Sequence, residues 1–215
     1  MALVDSNYRF VYAHVGVQGR VSDAGLFAHT DLLQGMEQGL LNFPPPEPLA
    51  NTGITVPYAL VADEAFPLRS DLMKPYPFRQ LDHDQRVFNY RLSRARRIVE
   101  NAFGILANRW RLFRSTICLE PDRVTALTLT ALCLHNFLCG RRSAGYTNPT
   151  FVDSEDADHA LVNGTWRAEG LGHMRPLEGA ARGRNPPMSA KLQRDVLRDY
   201  FVSPAGSVPW QEERI

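Results

Sequence analysis

The chain has 215 residues, 44 % hydrophobic and 22 % charged, with a formal net charge of +1. That length allows one domain with a proper core, alone or with a tail. The near-neutral balance excludes a polycation that binds nucleic acid by overall charge, so any such preference must come from local patches.

The three cysteines, Cys118, Cys133 and Cys139, contain no C-x-x-C pair. Their odd number argues against a disulfide framework and suits a reducing compartment. No apolar run reaches the roughly 18 residues that suggest a membrane span, and the first residues lack the regions of a secretory signal.

In chain order, ALVDSNYRFVYAHVGVQG predicts a hairpin, with Ser6 and Asn7 in the turn. SDAGLFAHTDLLQGMEQGLL predicts a helix capped by Ser22 or Asp23, with Leu26, Leu33, Met36 and Leu40 at helical spacing. NFPPPEPLANTG is a proline-rich loop. YALVADEAF predicts a short buried strand ending in acids.

A long helix follows, with Leu92, Ala95, Val99, Ala102, Phe103, Leu106 and Trp110 as its apolar stripe. DRVTALTLTALCLHNFLC is apolar nearly all round and predicts a buried helix. From Gly140 to Pro187 the composition predicts a flexible connection. A last amphipathic helix follows, with Leu192, Val196, Leu197 and Tyr200 as its face. The order predicts an α/β domain over residues 1–139 with a short mixed sheet flanked by helices. A linker over 140–187 and a helical C-terminal extension over 188–215 complete the chain.

Three acids stand out. Between Arg86 and Arg114 the basic helix carries eight arginines and a single carboxylate, Glu100. Asp5 closes the apolar ALV and Asp63 closes YALVA. An acid ending a buried strand is costly unless paired, hydrogen-bonded or metal-bound, and ligands gather at the carboxyl edge of open sheets. If the three carboxylates converge, they stay ionised together only around cations, and hard oxygen donors suit Mg²⁺ or Mn²⁺. Two such ions ~4 Å apart activate a water and stabilise the leaving oxygen of a phosphodiester. The same residues also fit plainer roles: a turn or cap for each aspartate, a surface salt bridge for Glu100.

ALVDSNYRFVYAHVGVQGRVSDAGLF, VADEAFPL with LMKPYP, FNYRLSRARRIVENAFGILANRWRLFR and ALCLHNFL together resemble the nuclease domain of PIF/Harbinger-type transposases and the nucleases domesticated from them. The resemblance runs from about Met1 to about Leu138, with a weaker echo in RDYFVSPAGSVPWQ. It implies a ribonuclease H-like fold and a DDE triad, falling here on Asp5, Asp63 and Glu100. It also implies two Mg²⁺ or Mn²⁺ ions, hydrolysis of DNA phosphodiester bonds, a Myb-like DNA-binding partner and a nuclear, or also cytoplasmic, location. In the family a helix-turn-helix segment precedes the first catalytic strand. Only Met1 precedes Ala2 here, so the expected form is N-terminally truncated.

Asp23 fits the family pattern and is expected to cap a helix. Glu64 is expected to point away from Asp63. Arg91, Arg94, Arg96, Arg97 and Arg109 are the expected DNA contacts, through phosphates, with Arg182 and Arg184 as weaker ones. Trp110 and Phe113 interleave with arginines, a pattern that can stack on bases, although a helix stripe also explains Trp110. His135 is expected as a hydrogen-bonded core histidine, Cys118 and Cys133 as packing residues, and His83 and Asp84 as solvated. A homo-oligomer is compatible with these features; a membrane partner is not expected. The alternative to an endonuclease is a catalytically silent remnant that binds or assembles with a Myb-like partner.

Overall fold

The structure is a computed structural model that describes residues 1–16, 23–141, 145–168 and 185–215, the side chains of residues 23 and 24 excepted. Its strands are β1 (Ala2–Val4), β2 (Phe10–Ala13), β3 (Glu47–Pro48), β4 (Thr55–Val56), β5 (Leu60–Val61), β6 (Leu72–Met73), β7 (Ser154–Glu155) and β8 (Leu161–Val162). Its helices are α1 (Asp23–Phe27), α2 (Asp31–Glu37), α3 (His83–Arg109), α4 (Pro121–Gly140) and α5 (Met188–Val202). The chain is thus mixed α/β.

The strands pair two by two: β1 with β2, β3 with β4 and β7 with β8 antiparallel, β5 with β6 parallel. The expected single short sheet is therefore not how the described strands bond. One reason is local. Proline lacks the N–H that a ladder needs, and Pro48 and Pro57 sit at or beside strands of two residues.

The chain divides into two compact units, residues 1–20 with 97–177, and 21–96 with 178–215. In the first, β1 and β2 form the expected hairpin, in register Ala2↔Ala13 and Val4↔Phe10 with a bulge between Leu3 and Val4. Tyr8 takes a left-handed conformation (φ 64°) to close the turn. The hairpin packs Phe10 with Ala102 and Leu106 of α3 and with Ala131 and Leu132 of α4. Asn136 locks it by accepting from the Phe10 N–H at 2.8 Å and donating to the Phe10 carbonyl at 2.8 Å.

A second cluster joins Ile105 to Tyr146, Phe151, Val152 and Trp166. Residues 145–168, expected as a connection, thus carry core side chains and two strands. Their three aromatic residues, Tyr146, Phe151 and Trp166, stand at irregular spacing and give no periodic signal. Gly104 makes room for them: a Cβ there would lie 2.4 Å from Cδ2 of Trp166.

The helix expected after residue 22 is broken in two. The Thr30 hydroxyl donates to the Phe27 carbonyl at 2.8 Å and accepts from the Leu33 N–H at 3.2 Å, ending α1 and capping α2. The cap expected of Asp23 lies outside the described side chains. α4 is a helix as expected, but not buried all round. Ala131, Leu132 and His135 face inward, while Leu127, Leu129, Leu134 and Phe137 are exposed. Cys118 and Cys133 are exposed too, not packing residues.

In the second unit, Leu68, Met73, Tyr76, Phe88, Leu92 and Ala190 form the core, backed by Leu197 and Phe201. α5 is therefore part of this core rather than an appendage. Its inward residues are Ala190, Gln193, Leu197 and Phe201; Leu192, expected on that face, is exposed. Tyr76 anchors the unit. Its N–H donates to Asn89 at 2.7 Å, its carbonyl accepts from Asn89 at 2.9 Å, and its hydroxyl donates to Asp195 on α5 at 2.5 Å.

Candidate active site

Asp5 ends β1 and opens the hairpin turn. Its Oδ1 accepts the N–H groups of Asn7 (2.8 Å) and Arg9 (3.0 Å). Its Oδ2 accepts from the Arg9 guanidinium at 2.8 Å. Burial pushes its pKa up, but the hydrogen bonds and charge supplied by Arg9 and Asn7 outweigh it and hold the carboxyl below its usual range. Asp5 is ionised and partly exposed.

Asp63 belongs to the second unit and follows β5. Its Oδ1 accepts the Ala65 N–H at 2.9 Å, an Asx turn that stops the strand. β5 pairs in parallel with β6, Val61 beside Met73. Parallel neighbours leave the sheet at the same edge, so the residues after them emerge together. Lys74, after Met73, accordingly feels the charges of Asp63 and Glu64 and donates to the Glu64 carbonyl at 3.0 Å. Burial lowers the pKa of this ammonium. Lys74 was not singled out from sequence, although LMKPYP contains it.

Glu100 lies in the part of α3 belonging to the first unit. Among its partners is Arg167, whose Nη2 donates at 3.1 Å. Arg167 also forks onto Asp153, with Nε 2.9 and 3.0 Å from its two oxygens. The Asp153 side chain is fully buried (0 % exposed) and accepts the Gly164 N–H at 2.8 Å. Asn101 holds Asp153 in place, accepting from its N–H at 2.9 Å and donating to its carbonyl at 3.1 Å. The Asp153 hydrogen bond, then that of Glu100, raises the pKa of Arg167. Sequence reading missed both Asp153 and Arg167, because the composition of 140–187 masks them.

The expected DNA-contacting arginines are largely engaged by the protein. Arg97 pairs with Glu155 at 3.0 Å. Arg91 donates to the Gly206 carbonyl at 3.1 Å and stacks over Phe201 at 4.7 Å, and burial lowers its pKa. Arg109 donates to the carbonyls of Gly145 and Tyr146 and stacks over Phe151. Arg94 lies over the rings of Tyr90 and Trp210, and Arg96 is half-buried. Arg182 and Arg184 lie outside the described residues. Trp110 follows the end of α3 and packs, partly buried, on the hairpin cluster.

His135 is a core histidine as expected, fully buried. Nδ1 lies 2.8 Å from the Tyr146 hydroxyl and Nε2 lies 2.7 Å from the Tyr8 carbonyl. A carbonyl only accepts, so Nε2 carries the proton and Nδ1 accepts from Tyr146. His83 is exposed, but it is tied to Asp84 and Glu212.

Residues 1–136, which include Asp5, Asp63 and Glu100, match the family profile described as DDE superfamily endonuclease. The chain belongs to that family. It is 28 % identical over 139 residues to the "Protein ALP1-like" of Arabidopsis thaliana. The match covers 64 % of this chain and 34 % of that protein, so the chain spans about a third of its relative's length. No solved structure gives a significant match. Among the described residues, no group of three or more His, Cys, Asp or Glu side chains is gathered to hold a metal ion, and no helix is long and apolar enough to cross a membrane. The carboxylates of Asp5, Asp63 and Glu100, the acids expected as ligands, are hard oxygen donors of the kind that suits Mg²⁺ or Mn²⁺.

Proposed function

We propose that the chain is a metal-dependent DNA endonuclease domain of the Harbinger type, with a ribonuclease H-like fold. The observation that carries this reading is that the family match spans all three acids, each of which also ends a strand or sits on the basic helix. Asp5, Asp63 and Glu100 would hold two Mg²⁺ or Mn²⁺ ions, which supply an activated water and a counter-charge for the leaving oxygen. Asp5 is ionised well before neutral pH, as a hard ligand requires. Lys74 at the Asp63 edge binds a phosphate oxygen. Arg94 and Arg96 track the flanking backbone, while Arg91, Arg97 and Arg109 fix the scaffold. A Myb-like DNA-binding partner and a nuclear location accompany this reading.

The test is nicking of supercoiled plasmid with Mg²⁺ or Mn²⁺. Asp63→Asn is expected to lower the rate at least ~10³-fold, a loss typical of removing a catalytic electrostatic group, with DNA binding retained. A variant that cuts at the wild-type rate removes the assignment.

A second reading has its own support: Arg9 and Arg167 already neutralise Asp5 and Glu100. A silent binding module shows no cleavage with either ion, yet associates with a Myb-like partner in a pull-down.

A further inference from the structure

α4 has two faces. Ala131, Leu132 and His135 point inward, and Asn136 bonds the hairpin. On the other side Ala126, Leu127, Leu129, Thr130, Cys133, Leu134 and Phe137 are all exposed. At 100° per residue these positions span an arc of roughly 160° centred near Phe137. From Val124 to Gly140 the sequence holds no Asp, Glu, Lys or Arg. Exposure is substantial: 42 % for Leu127, Leu129 and Leu134, and 53 % for Phe137. A continuous apolar face of this length marks an interaction surface.

We propose that a second copy of this chain covers this face, α4 packing antiparallel on α4 about a two-fold axis beside Thr130. Self-pairing follows from the order of the side chains. The axis pairs each residue with the one equally far on the other side of Thr130. Leu134 then meets Ala126, and Leu127 meets Cys133, so large residues sit over small ones as interdigitated helices require. Phe137, whose ring is already covered on one face by Arg141 of its own chain at 4.5 Å, meets Arg123 of the other copy, a second cation beside the ring. At the ends, the acids Glu120 and Asp122 at the start of one helix come near Arg141 at the end of the other, all three exposed, so opposite charges meet there. This interface is independent of the metal chemistry.

Sedimentation equilibrium of the full chain from 1 to 100 µM tests it. A dimer is expected, and Leu134→Glu is expected to weaken it at least ~100-fold by burying an unpaired charge. Leu134 is exposed in one copy, so the fold is expected to survive, as circular dichroism will show. A second variant guards against misfolding: Thr130→Cys, with Cys118 and Cys133 changed to Ser, is expected to form an intermolecular disulfide on mild oxidation. Thr116→Cys in the same background is not expected to do so. A chain that stays monomeric throughout the range overturns the proposal, as does a dimer that Leu134→Glu leaves unchanged. So does a Thr130→Cys variant that cross-links no better than Thr116→Cys.

Discussion

At the residue scale, Glu100 and Asp153 share Arg167 but stand in different surroundings. Asp153 is buried, and removing its cation leaves an uncompensated charge in low dielectric. Arg167→Ala is therefore expected to destabilise the chain by about 2–3 kcal/mol in urea unfolding. Glu100→Gln acts at a half-exposed side chain and is expected to cost less than about 1 kcal/mol. Equal losses would mean that Arg167 acts on Glu100 rather than on Asp153.

His135 sets a pH dependence. Burial lowers its pKa below the ordinary 6.5, partly offset by the Tyr8 carbonyl. The unfolded chain thus binds the proton more tightly than the folded one. The stability this histidine contributes is fully present above about pH 6.5 and is lost as pH falls through the lower folded value. His135→Gln, close in volume and without a titrating group, is expected to flatten the pH 5–7 slope of unfolding free energy.

At the element scale, β1, β2, α3, α4 and α5 were legible because their periodicities are strong and local. The break at Thr30 was not, since one hydroxyl bonding in both directions overrides a helical pattern. The exposure of one side of α4, expected buried all round, and of Leu192 on α5 was missed for a related reason: composition and periodicity show apolar positions, while the neighbour decides which of them are covered. The packing of α3 on Trp166 illustrates this. Gly104 reads as a weak point in a helix, yet it is where the ring approaches. Gly104→Ala is expected to destabilise by about 1–3 kcal/mol through overpacking, measured by thermal denaturation.

At the scale of the whole molecule, the chain's two units are both assembled from distant segments. Residues 178–215 belong with 21–96, and α5 supplies Ala190, Leu197 and Phe201 to the core around Phe88. Residues 1–139 alone, the domain expected from sequence, would leave that core uncovered. That fragment is expected to show no cooperative unfolding transition and to bind a hydrophobic dye, while the full chain unfolds cooperatively.

Residue type and spacing by themselves determined the first hairpin, the basic helix around Glu100 and the buried role of His135. These depend on chemistry that is local along the chain: charge, strand ends and apolar repeat. Only the tertiary structure decided that Arg97 is spent on Glu155, that Asp153 and Arg167 stand beside Glu100, and that Lys74 emerges with Asp63. Those partners lie tens of residues apart or depend on which strands pair, and such pairings are set by packing rather than by any pattern a neighbouring residue records.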